Sequence, residues 1–301
     1  MSATTAVSLL RQYLEAKREG GRTHVAVSSA AVKLLGGLRA KAEHQIRDVE
    51  RAVDKVEHRG EVVAEARAAV PAALEARNPL ILPVEGASKA EKLQKLRALA
   101  EQSPAARELG TLRTTMVFAV GNPDARLVLV GEAPGFQEEK QGEPFVGPAG
   151  EKLTQILKAM GVARSDVYIS NICKFRPSME PDENGPQGTR NRKPTEAEMR
   201  ACLPFVTTEI DIIKPACIVA LGATAAEGLG LSGSVARLRG QVHEVSGIPT
   251  LVTFHPSYIL REEKMGDGMK VKRQVWEDML TAMEILELPI SAKQRGYFKV
   301  G

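Results

Sequence analysis

The spacing of apolar positions changes from one segment of the chain to the next, and each change marks an element. Through residue 77, Ile46, Val49, Val53 and Val56 recur at helical spacing in a background rich in Ala, Glu, Arg and Val. The pattern predicts one or two amphipathic helices, broken at Gly20-Gly21 and bounded near Pro71. Residues 78–87 hold two prolines and a glycine and read as a linker. Ser88-Lys-Ala-Glu91 then supplies a capping box, and Leu93, Leu96 and Leu99 give the helix that follows one apolar face.

Beyond this point strand-like and helical periods alternate. Leu127–Val130, Val167–Ile169, Cys217–Leu221 and Thr250–Phe254 are short apolar runs of the kind buried on both faces of a parallel sheet. Leu153, Ile156, Leu157 and Met160 mark one helix between them. A second starts at the capping box Thr195-Glu-Ala-Glu198, buries Met199, Cys202, Leu203, Val206, Ile210 and Ile213, and a last one runs from about Lys272 to Leu286. The economical solution is a three-layer α/β/α sandwich with a central, mostly parallel four-stranded sheet and a helical N-terminal extension. The expected domains are 1–87, extension and linker, and 88–301, the α/β/α unit.

Composition narrows the class without naming it. The 301 residues are 43% hydrophobic and 26% charged with a formal net charge of +4, which tolerates a polyanionic partner without demanding one. Cys173, Cys202 and Cys217 form neither a CxxC nor an even disulfide framework, and no apolar run reaches membrane-spanning length. With no basic-then-apolar leader, the expectation is a cytoplasmic monomer that does not engage a membrane. The N-terminal helices carry no chemical motif; they read as a solvated extension, with a partner-binding or DNA-contacting arm as the alternative.

Ligands of such sheets bind at the carboxyl ends of the strands, so the residues just after each run are the candidates for chemistry. After the first come Glu132, Glu138 and Phe145 in the Gly- and Pro-rich stretch 131–150. After the second come Asn171, Lys174 and Arg176; after the third, Gly222; after the fourth, His255-Pro-Ser-Tyr-Ile-Leu-Arg261. Carboxylate, amide, aromatic and imidazole groups on one edge describe a pocket for a flat polar ring.

Four segments taken together, Gly131-Glu-Ala-Pro-Gly135, Glu143-Pro-Phe-Val-Gly147, Asn171-Ile-Cys-Lys-Phe-Arg-Pro177 and His255–Arg261, resemble the uracil-DNA glycosylase superfamily, closest to its iron-sulfur type, family four. The resemblance covers roughly Leu93 to Leu286. It implies removal of uracil from DNA by hydrolysis of the N-glycosidic bond after base flipping. Asn171 would read the uracil edge, Phe145 would stack on the ring, Gly131 and Ala133 would line the pocket, and Glu138 would stand near C5 to crowd out a thymine methyl. His255 would donate toward O2 of the leaving base, and Glu132 would position water or offset charge on the sugar. Ala133 stands where family one has an aspartate, so strong general-base catalysis is not implied there. Lys174, Arg176, Pro256, Ser257 and Arg261 would contact DNA, with Ile259 or Leu260 as the apolar wedge and the basic stretch Arg190–Lys193 available for phosphates.

The resemblance stops at the metal. The family's cluster needs four thiolates. Residues 103–109 hold no cysteine where two are required, Phe175 stands in place of a third, and only Cys202 matches the fourth, Cys173 lying two residues from the required position. The expectation is therefore a glycosylase with no iron-sulfur cluster and no metal. The alternatives are a non-catalytic DNA- or nucleobase-binding relative and, from another class, a nucleotide-binding Rossmann-like regulator. The second lacks GxGxxG after the first strand.

Overall fold

The computed structural model describes residues 81–180 and 187–298; the helices expected before residue 78 lie outside the described residues. The stretch read as a linker is described from Ile81. Its Leu82 amide donates to Thr208 Oγ1 at 2.9 Å, and Leu82 and Val84 pack against the core.

The chain then runs through α1 (Lys89–Glu101), α2 (Pro104–Arg107), β1 (Leu112–Met116), β2 (Ala119–Gly121), β3 (Leu127–Gly131), α3 (Phe136–Gln141) and α4 (Pro148–Met160). After a 3-10 turn, Arg164–Asp166, come β4 (Tyr168–Asn171), β5 (Phe175–Pro177), α5 (Glu196–Ile213), β6 (Cys217–Leu221), α6 (Ala223–Gly228) and α7 (Val235–Leu238). The last elements are β7 (Val242–Val245), β8 (Ile248–Thr253), α8 (Pro256–Met265), α9 (Gly268–Ile285) and α10 (Ala292–Arg295). The Thr195 capping box forms in full, with Glu198 Oε2 accepting from the Thr195 amide, whereas at Ser88 the box is incomplete because the Glu91 carboxylate accepts from the Ala87 amide instead of the Ser88 amide. Ser88 Oγ accepts from the Glu91 amide, and Thr195 Oγ1 from the Glu198 amide, which satisfies helix N–H groups that would otherwise lack partners.

The central sheet has the order β2-β4-β3-β6-β8-β7. Its four inner strands are parallel and coincide with the four apolar runs, while β2 and β7 pair antiparallel at the edges. The sheet thus has six strands rather than the four expected. The edge strands escaped notice because they are short and half-exposed, with no continuous apolar run to mark them. A separate antiparallel pair, β1 with β5, flanks the sheet.

Successive strand residues point to opposite faces, and the two faces feed two cores. Val128, Val130, Ile218 and Ala220 face the helices α1, α5 and α6 through Leu96, Val206, Ile210 and Ala225. Leu127, Leu129, Val219 and Leu251 face α4 and α9 through Leu153, Leu157, Met279 and Met283. The helix expected from Lys272, α9, begins at Gly268, because the apolar period starts only at Val271.

Candidate active site at the strand ends

Strand order places β3 between β4 and β6, so the chain leaves β3 toward one side of the sheet and β6 toward the other. A crevice opens at the carboxyl ends where such connections diverge. Gly131, the last residue of β3, is in register with Asn171, the last of β4. A Cβ on Gly131 would lie 2.3 Å from Asn171 Oδ1 and 2.5 Å from Phe145 Cζ, so only glycine lets amide and ring close over the strand end. Asn171 is buried, and its Oδ1 has no hydrogen-bond partner among the described residues.

Phe145 is held by the loop that carries it. Its φ of 55° is left-handed, a conformation a bulky residue adopts only where the surroundings enforce it. The enforcement is visible. Glu138 Oε1 accepts from the amides of Val146 (3.1 Å) and Gly147 (3.0 Å), Oε2 accepts from Gly135 N (3.2 Å), and Arg164 Nη2 donates to Pro144 O at 2.6 Å. Gly150 is obligatory as well, since a Cβ there would lie 1.7 Å from Phe145 O. The Phe145 ring meets the His255 ring at 5.6 Å between centroids, tilted by 33°.

His255 caps the N-terminus of α8. Its Nδ1 accepts from Ser257 N at 3.2 Å and sits 2.7 Å from Ser257 Oγ. Burial pushes the imidazole pKa down to about 4, so the ring is neutral at pH 7. With Nδ1 accepting, the ring proton resides on Nε2, where it is available as a donor. Across the crevice between β3 and β6, Glu132 Oε2 accepts from Thr224 Oγ1 at 2.5 Å. Burial raises the Glu132 pKa above its usual 4.5, and the Thr224 bond and the distant Lys193 charge pull against it. Ala133 is half-buried against the core on the same loop.

Three expected roles are corrected by the packing. Lys174 and Arg176, expected at phosphates, are both buried. Lys174 Nζ bonds Ser170 Oγ (2.6 Å), Asn171 O (3.1 Å) and Glu209 Oε2 (2.9 Å); an isolated buried ammonium is costly, and Glu209 compensates it. Arg176 bonds Glu139 Oε2, Asn191 Oδ1, Gly188 O and Arg190 O, and so ties the loop 187–193 to α3. Ile259, expected as a wedge, is buried between α4 and α9 near Ile156 and Val275, because it lies on the inward face of α8. Leu260 is half-buried, Pro256 buried, and Ser257 and Arg261 exposed. Glu138 bonds backbone amides through both oxygens and so braces the Phe145 loop.

Arg192, in the expected basic stretch, forks onto Glu198 at 2.8 and 2.6 Å; burial works to raise the Glu198 pKa, yet this fork and the Thr111 and Thr195 contacts hold it at about 2. Thr224 was not foreseen. Its only signal was its place two residues after Gly222 at the end of β6. Arg164 had none, since nothing in a 3-10 turn announces a bond to a carbonyl 20 residues earlier.

The donors for an iron-sulfur cluster are not assembled. Cys173 and Cys202 lie in the core facing α1 and α5, and Cys217 lies in the opposite core. Phe175 is buried beside Met199, Cys202 and Phe205, and α2 fills residues 104–107 without a thiol. Among the described residues no three His, Cys, Asp or Glu side chains are grouped to hold a metal ion. Two thiols on one face do not fit a cluster that needs four.

Fold and crevice define a doubly wound α/β protein that brings Asn171, Phe145 and His255 together at the switch point of its sheet. Residues 118–280 match the family model described as the uracil DNA glycosylase superfamily. The type-4 uracil-DNA glycosylase of Thermotoga maritima is 41% identical over 178 residues, 58% of this chain and 85% of that protein. The type-4 enzyme of Archaeoglobus fulgidus is 36% identical over 179 residues, 54% and 84% of the two chains, and that of Pyrobaculum aerophilum 37% over 159 residues, 50% and 76%. The chain belongs to the uracil DNA glycosylase superfamily, in its type-4 branch.

Proposed function

We propose that this chain is a monofunctional uracil-DNA glycosylase that hydrolyses the N-glycosidic bond of deoxyuridine in DNA. One observation carries the reading. Asn171 Oδ1 is buried without a partner beside Phe145, and a buried acceptor left unpaired costs ~1–3 kcal/mol unless a ligand donor meets it. Uracil N3–H is such a donor, and the Asn171 amide N–H is the complementary donor for O4. The relatives named above bear the same activity in their names.

The chemistry follows from the groups present. Phe145 stacks on the flipped ring while Gly131 and Ala133 leave room for its edge. As the C1′–N1 bond breaks, its electron pair moves onto the base, and His255 Nε2–H donates to the charge that develops at O2. A neutral imidazole suits this task, since it donates without having to lose a charge. Water adds its oxygen to C1′, held by Glu132, whose carboxylate also offsets the oxocarbenium charge on the sugar, and the proton that the water gives up neutralises the departing uracil anion. The products are free uracil and an abasic sugar. Thymine is excluded by the wall that Glu138 braces.

The catalytic unit is assigned to residues 88–301, acting as a cytoplasmic monomer, and the first 87 residues are read as a helical extension and linker. No helix among the described residues is long and apolar enough to cross a membrane. The cysteine placement further supports a protein without an iron-sulfur cluster, its site filled by Phe175 and its apolar neighbours.

Single-turnover cleavage of oligonucleotides bearing uracil, thymine or hypoxanthine tests the activity, with wild type and Asn171→Ala compared. Abasic product from uracil with wild type alone is expected; no product from the uracil strand overturns the assignment. Iron and sulfide analysis of anaerobically purified protein tests the cofactor statement, which stoichiometric iron with a visible charge-transfer band would overturn.

A further inference from the structure

Burial of Ile259 leaves the protein without the wedge expected at that position, and exposed apolar side chains occur a few residues on. Met265 and Met269 are 74% and 63% exposed, the two most exposed large apolar side chains among the described residues. They flank the turn Gly266-Asp267 between α8 and α9. The exposed cations Arg261, Lys264, Lys270 and Arg273 surround them. Of the acids nearby, Glu263 is bound between Lys152 (2.9 Å) and Lys272 (2.7 Å), Glu262 is half-buried, and Asp267 is the exposed one.

The fold sets this turn on the side of the sheet where the strands end. Thr253, the last residue of β8, donates to Asp278 Oδ2 at 2.7 Å, which fixes the level of α9 at the sheet edge. From there Met279, Ala282, Met283 and Ile285 run back over the sheet, packed in the core with Val219 and Leu251. Residues 268–277 therefore extend the other way, beyond the strand ends, by roughly 15 Å at 1.5 Å per residue. The Lys152–Glu263 bond keeps the end of α8 beside the start of α4, next to the loop that carries Phe145. α8 itself starts at His255, so the turn stands roughly 15 Å from the candidate site, about four nucleotides along one strand.

We infer that the Met265–Met269 turn is a second DNA contact, in which the two thioether side chains enter the minor groove of duplex flanking the flipped nucleotide and Lys264 and Lys270 meet its phosphates. The surface suits that partner because it joins apolar tips to a cationic rim. Methionine is among the side chains that enter between base steps, and phosphates account for the lysines. The inference rests on the proposed glycosylase function for its orientation, but its test does not depend on catalysis.

The variants are Met265→Ser/Met269→Ser and Lys264→Ala/Lys270→Ala, all at exposed positions. Binding to a long duplex without uracil is measured across a salt series, and single-turnover excision is measured on a uracil-bearing duplex and on a uracil-bearing trinucleotide too short to reach the turn. The lysine variant is expected to bind duplex ~10-fold more weakly and to lower the slope of log K against log salt by about 2. The methionine variant is expected to lose ~5–10-fold in duplex affinity with the slope unchanged. Trinucleotide excision stays at the wild-type rate in both. Unaltered duplex binding in both variants, which would leave the patch to a protein partner, overturns the inference, as does an equal loss on duplex and trinucleotide. A wild type that binds duplex but excises no uracil defeats the glycosylase assignment, and the duplex-binding measurements still decide the role of the turn.

Discussion

Thr224 Oγ1 donates to Glu132 Oε2, a bond that joins the loop leaving β3 to the first turn of α6 across the crevice. It fixes one carboxylate oxygen. The bond also favours the ionised form, against burial, which raises the Glu132 pKa. If ionised Glu132 is required, single-turnover excision falls as pH drops through that raised pKa, above 4.5. His255 does not set this limb, because it stays neutral down to about 4. Thr224→Val removes a bond to the ionised form, so the acid limb moves to higher pH and the plateau rate drops roughly 5–30-fold, the equivalent of ~1–2 kcal/mol. Thr224→Ser restores both. A pH–rate profile in which Thr224→Val lowers the rate without moving the limb would assign Thr224 to packing alone.

Gly131 and Asn171 make a second pair. Gly131→Ala puts a methyl carbon in the space of Asn171 Oδ1 and Phe145 Cζ, at the separations of 2.3 and 2.5 Å given above. Amide or ring must move, so base reading fails while the duplex surface is untouched. The expected outcome is a ~10²–10³-fold loss of uracil excision with duplex affinity retained, and Asn171→Ala behaves alike. Rate and binding measured on the same variant separate this from a general loss of structure.

Lys174 and Glu209 form an ion pair with side chains 0% and 1% exposed, so removing one partner strands the other charge. Glu209→Gln or Lys174→Met should each destabilise the fold by ~3–5 kcal/mol, read from urea unfolding. The double variant Lys174→Met/Glu209→Leu should recover most of that loss, because no charge is then left unpaired. Were Lys174 instead at DNA phosphates, Lys174→Met would keep its stability and lose affinity.

These pairs show how far the sequence was legible. The four inner strands followed from continuous apolar runs, and the helix N-caps from Ser88 and Thr195 with a glutamate three residues on. Gly131, Phe145, Asn171 and His255 come together because residues just after buried strands are forced to one edge of the sheet. Charged residues were harder. A lysine or arginine in sequence carries no mark of whether its charge meets solvent or a partner folded against it, so Lys174 and Arg176 were placed at the surface. Glu209, Glu139 and Asn191, which bury them, lie between 15 and 37 residues away in the chain. Ile259 was misplaced as a wedge for a related reason: the face it presents depends on the phase of α8 against α4 and α9, which short-range pattern does not set.

Glu138 offers the sharpest test of the loop. Its carboxylate accepts from three backbone amides, those of Gly135, Val146 and Gly147, and so clamps both ends of the segment that forces Phe145 to a φ of 55°. Glu138→Ala leaves those amides without their acceptor and lets Phe145 relax toward ordinary backbone angles. The expected cost is ~1–3 kcal/mol in stability, with faster hydrogen exchange at Val146 and Gly147. Uracil excision should fall about 10-fold as the stacking surface loosens, and any trace of thymine excision should rise, since the wall beside C5 is no longer braced. Glu138→Gln keeps an acceptor for the two amides on Oε1 and should retain most protection. If Glu138→Ala instead admits thymine while exchange at Val146 and Gly147 stays slow, then Glu138 meets the base directly and the bracing account fails.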